Sequence, residues 1–317
     1  MAAKPSSKVV VYAALIGNLL VAVTKGIAAA WTGSSSMLSE AVHSLVDTVN
    51  EVLLLYGMHR ASQRADPGHP LGYGRELYFW SFIVAVLIFA LGAGVSIFEG
   101  IGHILEPETV TDPVVNYVVL GLAFLFEGGS WAVSLRQFRE AKGELGYIEA
   151  FRRSKDPPSF MVLFEDSAAL IGIVLAAIGT FASANLGMPV MDGVASVLIG
   201  IVLALTAMLL ARESKSLLIG ERADRDLCEA ILRIARTEPG VDSANGVITV
   251  QMAPDQIVAA LSVDFDDSVN ASDVENIVLD IERKVRAERP DVVTLFVKPQ
   301  SRKAYANAVE RQYGIAP

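Results

Sequence analysis

Polar side chains at helical spacing interrupt an apolar stretch of the chain at residues 37–58. His43 and Asp47 are four residues apart, so on a helix they share one face, and Glu40 lies three residues before His43 on the same stripe. An imidazole and a carboxylate one turn apart supply half of a tetrahedral Zn²⁺ site, which takes nitrogen and oxygen donors. The alternative is a polar seam that hydrogen-bonds to neighbouring helices or, for Glu40, a residue at the lipid headgroup level.

A second helix must supply the remaining ligands, because one helix provides only half of the shell. The adjacent acids Glu165 and Asp166 lie in the apolar stretch 160–184. Adjacent helical residues point about 100° apart, so we expect only one of the two to face His43, and we predict that it is Asp166. The alternative is that both carboxylates lie in the interface between lipid and cytoplasm.

Three acidic residues are candidates for a fourth ligand or a proton carrier: Glu165, Glu127 and Glu40. Ionisable residues inside apolar spans are costly and therefore mark functional sites. For Glu127, a helix-packing role beside Gly128 and Gly129 fits the sequence equally well. The residues alone leave this choice open.

The apolar stretches that carry these residues are long enough to cross a bilayer, which takes about 20 residues. The 317-residue chain is 52% hydrophobic and 19% charged, with a mean hydropathy of +0.44, whereas soluble domains carry about 25% charge. We predict an all-α bundle of six helices, because an isolated span must satisfy its own backbone hydrogen bonds in lipid. The predicted spans within a membrane domain at 1–219 are 9–30, 37–58, 77–105, 113–135, 160–184 and 190–211.

The distribution of charge among the loops predicts the orientation of the bundle. Loops 32–36 and 185–189 hold no charge and loop 106–112 holds only acids, whereas the loops on the other side carry Lys and Arg. This alternation follows the positive-inside rule. We therefore expect an integral membrane protein with both termini in the cytoplasm, in a bacterial inner (plasma) membrane.

Residues 220–300 have the pattern of a small cytoplasmic α+β domain. Helical spacing covers 224–237, alternating β-rich stretches cover 246–252 and 257–265, and a last strand covers 292–297. Ser272 and Glu275 have capping-box spacing at the start of another helix. The order αββαβ predicts a two-layer, ferredoxin-like or metallochaperone-like sandwich. Residues 301–317 form a C-terminal tail with a short helix near 304–313.

Charge and cysteine content exclude other classes of protein. The net charge is −9 and the isoelectric point is near 5.0, so nucleic acid is not an expected partner, since phosphate binding needs a basic surface. The single cysteine, Cys228, cannot form an intramolecular disulfide. No prosthetic group is expected.

Five stretches of the chain, taken together, resemble the cation diffusion facilitators. They are Gly33–Asp47 (GSSSMLSEAVHSLVD), Asp66–Arg75 (DPGHPLGYGR), Phe164–Ala169 (FEDSAA), Asp192–Ser196 (DGVAS) and Glu213–Gly220 (ESKSLLIG). The glutamate at position 40 and the FEDSAA string look most like the branch that contains a mitochondrial zinc exporter. The resemblance covers nearly the whole chain.

The resemblance implies a homodimer in the lipid bilayer that exports a divalent metal ion from the cytoplasm in exchange for protons. Zn²⁺ is the first expected substrate, with Mn²⁺, Fe²⁺, Co²⁺, Ni²⁺ and Cd²⁺ as alternatives. His43 and Asp47 map onto the two ligand positions of the second span, and Asp166 maps onto the last ligand position of the fifth. Val162 stands four residues earlier, where the family pattern has a further ligand.

The loop after the second span also resembles a family metal site. Asp66 and His69 match its ligands, whereas Tyr73 stands where some members have a histidine. A turn role for Asp66 and His69 is an equally good interpretation. The C-terminal domain contains no histidine, so we expect it to serve dimerisation, with Asp264, Asp266 and Asp267 as a solvated acidic surface.

Two other classes of function compete with a transporter. A non-transporting metal-binding relative, a sensor or scaffold, is favoured by the missing ligand at Val162. An intramembrane metallohydrolase would also hold metal in the bilayer, but it would need a HExxH-type helix, and the sequence contains none.

Overall fold

Long helices make up the first two thirds of the chain in the computed structural model, which describes residues 5–107 and 112–314. The chain divides into two compact units, Met1–Lys215 and Ser216–Pro317. The helices that begin in the first unit are α1 (Pro5–Thr32), α2 (Ser35–Ala61), α3 (Glu76–Leu87), α4 (Gly94–Leu105), α5 (Pro113–Lys142), α6 (Tyr147–Arg153), α7 (Pro157–Asn185) and α8 (Val190–Ile219).

Four helices in the described part of the chain are long and apolar enough to cross a membrane: Glu76–Leu105, Pro113–Glu140, Pro157–Asn185 and Val190–Ile219. The first of them is one continuous rod, because a π-helical segment at Ile88–Ala93 joins α3 to α4. Helix α2 has 27 residues, about 40 Å at 1.5 Å per residue, but its polar residues lower its hydropathy. The predicted spans 77–105, 113–135, 160–184 and 190–211 fall within these four helices. The other two predicted spans, 9–30 and 37–58, are helical within α1 and α2.

The helices of the first unit present apolar side chains outward as well as inward. Phe98 is 76% exposed and Leu125 is 71% exposed, which is typical of a surface that faces lipid rather than water. Small residues allow the closest approach between α4 and α8. A Cβ atom added at Gly100 would lie 2.7 Å from Val197, and one at Gly193 would lie 2.8 Å from the carbonyl oxygen of Gly100, so these two helices pack nearly backbone to backbone.

The start of α2 is fixed by a side chain from α8. The carboxylate of Asp192 accepts hydrogen bonds from the hydroxyl of Ser34 at 2.9 Å and from the backbone N–H of Ser36 at 3.2 Å. Ser34 is itself the N-cap residue of α2 and accepts from the backbone N–H of Met37. Two of the free N–H groups in the first turn of α2, those of Ser36 and Met37, are therefore satisfied inside the bundle.

The second unit contains α9 (Arg225–Arg236), β1 (Val241–Ala253), β2 (Gln256–Phe265), α10 (Ala271–Glu288), β3 (Val292–Pro299) and α11 (Arg302–Tyr313). The sheet order is β1-β2-β3, with β1 and β2 antiparallel and β2 and β3 parallel. The hairpin between β1 and β2 turns at Pro254 and Asp255. The aliphatic core of the second unit includes the buried side chains of Leu227, Ile231, Leu261, Val263 and Ile281.

The capping box predicted for α10 is wrong by two residues. Asn270 is the N-cap, and its side chain accepts from the backbone N–H groups of Ser272 and Asp273 at 2.9 and 3.1 Å. The side chain of Asp273 accepts in return from the N–H of Asn270 at 3.2 Å. Asn270 and Asp273 have the same spacing as Ser272 and Glu275, so the sequence contained two overlapping candidates, and the structure uses the earlier one.

Candidate metal site

Helix α2 buries the predicted imidazole and carboxylate on one face. His43 is 1% exposed, and its Nδ1 lies 3.4 Å from Oδ1 of Asp47. Within the described part of the chain, neither ring nitrogen of His43 nor Oδ1 of Asp47 has a hydrogen-bond partner. Buried polar atoms are nearly always paired in folded proteins, so these unpaired atoms favour the predicted metal-ligand role over a hydrogen-bonded polar seam.

The two acids of α7 contact different helices. Oε1 of Glu165 accepts a hydrogen bond from Nδ2 of Asn50 on α2 at 3.0 Å. Oδ2 of Asp166 accepts from the hydroxyls of Ser130 and Ser134 on α5 at 3.0 and 3.3 Å. Both acids are buried within the helical unit, and their depth in the membrane stays a prediction.

The carboxylates nevertheless share one polar interior. Asp47 interacts electrostatically with Glu165, Glu127 and Asp166, so these groups on α2, α5 and α7 lie within range of one another in a medium of low dielectric constant. In the described residues, no three His, Cys, Asp or Glu side chains stand together as a group that could hold a metal ion. The ligand set of His43, Asp47 and Asp166 stays a prediction.

Glu40 is buried in the interior of the bundle. Its Oε2 forms an ion pair with Nζ of Lys25 on α1 at 2.9 Å, and both side chains are 0% exposed. Lys25 also donates to the hydroxyl of Ser44 at 2.9 Å. On its other side Glu40 faces Gly172 of α7, where an added Cβ atom would overlap Oε1. Because the ammonium group of Lys25 already pairs with one oxygen of Glu40, the structure does not favour Glu40 as a metal ligand.

Glu127 of α5 is buried, with 5% of its surface exposed. A helix-packing role for the neighbouring glycines is not supported. A Cβ atom at Gly129 would meet nothing within 4 Å, and one at Gly128 would come no closer than 4.0 Å to Leu170. The role of Glu127 itself, as a ligand, a proton carrier or a packing residue, stays a prediction.

The loop residues form a compact turn. Oδ1 of Asp66 accepts from the backbone N–H groups of Gly68 and His69, each at 2.8 Å, and Oδ2 accepts from the hydroxyl of Tyr73 at 2.6 Å. The Tyr73 hydroxyl and these N–H groups hold the pKa of Asp66 below its usual value. The ring of His69 lies 4.2 Å from that of Tyr73. Both oxygens of Asp66 are thus engaged within the turn, which favours the turn interpretation over a metal site.

The acidic residues of the second unit also have local partners. Oδ1 of Asp266 accepts from the backbone N–H of Ser268 at 2.8 Å, and Oδ2 of Asp264 accepts from the N–H of Arg302 at 3.0 Å. Hydrogen bonds from Ser268 lower the pKa of Asp266. These contacts favour a role in loop structure over metal binding.

Sequence reasoning missed several residues that contact the candidate site. Glu51, four residues after Asp47, accepts from Nδ2 of Asn18 at 2.9 Å, and the same spacing argument would have found it. Ser130 and Ser134 of α5 bond to Asp166. Their contact depends on how α5 packs against α7, for which the sequence carries no signal.

Comparison with known proteins agrees with these motifs. Residues 11–219 match the cation efflux transmembrane domain. The mitochondrial proton-coupled zinc antiporter SLC30A9 of Xenopus laevis is 33% identical over 269 residues, which is 84% of this chain and 48% of that protein. Metal tolerance protein C4 of Arabidopsis thaliana is 32% identical over 238 residues, 74% of this chain and 52% of that protein.

A third relative is similar along most of its length. The cation-efflux pump FieF of Cronobacter sakazakii is 25% identical over 285 residues, 90% of this chain and 89% of that protein. The chain spans only about half the length of the antiporter and of metal tolerance protein C4. With its apolar helices and a family match over most of its length, the chain is an integral membrane protein that belongs to the cation diffusion facilitators, a family of transporters rather than enzymes.

Proposed function

We propose that this protein exports a divalent metal cation, Zn²⁺ first, in exchange for protons. One observation carries the proposal: the buried imidazole of His43 and the carboxylate of Asp47 lie side by side with donor atoms that have no hydrogen-bond partner in the described structure. Nitrogen and oxygen donors suit Zn²⁺. Relatives that are proton-coupled zinc antiporters support the same substrates.

Exchange with protons follows from the chemistry of these ligands. A metal ion binds only a neutral imidazole and an ionised carboxylate, so its arrival releases protons and protons displace it. His43 supplies the imidazole and Asp47 a carboxylate, so protons and the metal ion compete for the same atoms. Asp166, from α7, is the proposed third ligand. A proton gradient across the membrane would then drive metal release on the side with more protons.

The proposed arrangement has six spans, with α1 and α2 completing the four apolar helices, both termini in the cytoplasm, and a bacterial inner membrane as location. Hydrogen bonds join α1 to α2 through Asn18 and Glu51, and join α5 to α7 through Ser130 and Asp166. We propose that these two helix pairs move as units during alternating access. The protein would act as a homodimer, with the ferredoxin-like domain at 220–300 serving dimerisation.

Zinc flux in proteoliposomes with an imposed pH gradient tests the proposal. His43→Ala should abolish proton-coupled zinc flux, because it removes the imidazole from the site. His59→Ala is the matched control, since His59 is an exposed histidine near the end of the same helix. Unchanged flux in His43→Ala would refute the assignment.

A second candidate function is a non-transporting metal-binding relative, a sensor or scaffold. Val162 favours it, because it provides no ligand where the family pattern has one. Saturable zinc binding by the purified protein, without zinc flux in proteoliposomes, would establish this alternative.

A further inference from the structure

Asn50 is a buried amide whose side-chain nitrogen has a hydrogen-bond partner and whose side-chain oxygen has none in the described structure. Its side chain is 0% exposed. Nδ2 donates to Oε1 of Glu165 at 3.0 Å, while Oδ1 has no partner in the described structure. The NH₂ group of Asn50 therefore faces Glu165, and its carbonyl oxygen points elsewhere. The contact with α7 thus fixes the direction of the free oxygen.

The free oxygen of Asn50 lies one turn from another free oxygen. Asp47 and Asn50 are three residues apart on α2, so they are neighbours on one face of the helix. Oδ1 of Asp47 also has no hydrogen-bond partner among the described residues, and Asp47 interacts electrostatically with Glu165. Two helices therefore present three oxygen-bearing side chains to one region of the interior.

Two contacts between α2 and α7 enclose this region. Asn50 meets Glu165 at one end, and Glu40 meets Gly172 at the other. Asp47 and His43 lie between these contacts along α2. In this arrangement α2 and α7 touch at both ends of the region, so the oxygens of Asp47, Asn50 and Glu165 lie at a helix interface rather than facing lipid.

We propose that Asp47, Asn50 and Glu165 form an all-oxygen cation subsite beside His43, with Oδ1 of Asn50 as a direct ligand. The inference rests on the proposed transport function, and it supplies the ligand that Val162 cannot. Carboxylate and amide oxygens suit harder divalent cations such as Mn²⁺, whereas imidazole suits Zn²⁺. The subsite therefore extends the range of substrates toward Mn²⁺ and shares Asp47 with the zinc ligands.

Cation binding to the full-length protein in detergent tests the subsite, with Mn²⁺ and Zn²⁺ as probes. Asn50→Leu removes the ligand oxygen at nearly constant volume and should weaken Mn²⁺ binding by about 10-fold or more, with a smaller effect on Zn²⁺. Asn50→Asp keeps an oxygen at the same position and should retain Mn²⁺ binding. Asn116→Leu is the matched control, because Asn116 is also a fully buried amide but pairs with Thr32.

Two results would overturn the inference. Wild-type Mn²⁺ affinity in Asn50→Leu would show that the amide oxygen is not a ligand. Equal loss in Asn50→Asp and Asn50→Leu would show that Asn50 acts only by donating its N–H to Glu165. If Asn50→Leu does not fold, Glu165→Gln decides the question, since it keeps the side-chain shape and should also weaken Mn²⁺ binding by about 10-fold; wild-type affinity in that variant rejects the subsite.

Zinc flux of the wild-type protein, measured on the same preparation, separates this inference from the proposed function. Flux in the wild type together with unchanged Mn²⁺ affinity in Asn50→Leu rejects the subsite alone. Absence of zinc flux in the wild type rejects the transport function, and the binding results then describe a metal site in a protein that does not transport.

Discussion

The helical unit and the C-terminal unit differ in what they bury. Between its helices the first unit encloses Lys25, Glu40, His43 and Asn50, each no more than 1% exposed. The C-terminal unit is built around aliphatic side chains, and pairs such as Arg283–Asp280 lie at its surface. Ionisable groups inside apolar spans are costly and persist where they serve a function. The difference therefore locates the chemistry of this protein in the helical unit.

The same difference separates two kinds of ion pair. Lys25 and Glu40 are both 0% exposed, whereas Arg233 and Glu288 have side chains that are 60% and 44% exposed. Exposed pairs add little stability because water and salt screen them. A buried pair that loses one partner leaves an uncompensated charge. Matched substitutions in the two pairs can therefore test the comparison directly.

Lys25→Met should have the largest effect, a loss of about 3–5 kcal/mol in the free energy of unfolding, because it strands the carboxylate of Glu40. Arg233→Met in the exposed pair should cost about 0–1 kcal/mol. Adding Glu40→Gln to Lys25→Met should recover part of the loss. Denaturant unfolding in detergent measures all three, and equal costs for the two single substitutions would break the comparison.

Gly172→Ala should cost about 1–3 kcal/mol, because the added Cβ atom overlaps Glu40 and forces the helices apart. Gly129→Ala is the control. Nothing lies within 4 Å of its added Cβ atom, and alanine favours the helix by about 1 kcal/mol. Thermal unfolding of both variants compares them. A stabilised Gly172→Ala protein would contradict the close contact between α2 and α7.

Tyr73→Phe should have the smallest effect, confined to the loop. The hydroxyl of Tyr73 is the main cause of the low pKa of Asp66, so its removal should move that pKa upward. A carboxylate whose pKa is lower in the folded state stabilises the folded loop at pH values above its pKa in the unfolded state. This contribution is lost as the pH falls toward the pKa of the folded state. The variant should therefore lose less loop stability on acidification. NMR titration of Asp66 measures the shift, with Tyr313→Phe as the control, and an unchanged pKa would contradict the hydrogen bond.

Hydrophobic periodicity predicted most helices and strands, because both carry their burial pattern within one segment. It also predicted that His43 and Asp47 share a helix face, since this follows from the geometry of a single helix. It identified α2 despite the polar residues that lower its hydropathy. The capping box of α10 was placed two residues too late, because the sequence holds two overlapping candidates of equal spacing.

Contacts between helices were beyond the reach of sequence reasoning. The spacing of Glu165 and Asp166 shows that they diverge, but not that Glu165 meets Asn50 while Asp166 meets Ser130. Those pairings depend on the relative rotation and axial shift of α2, α5 and α7.

X-ray absorption at the zinc edge tests the central claim, that His43 and carboxylate oxygens hold the transported ion, most directly. The chain has four histidines, so a variant with His59, His69 and His103 replaced by alanine retains imidazole only at position 43. The account predicts that zinc bound to this variant keeps the scattering signature of an imidazole ligand with oxygen neighbours, and that His43→Ala removes the imidazole. An imidazole signal that persists in His43→Ala, or is missing from the triple variant, would contradict it.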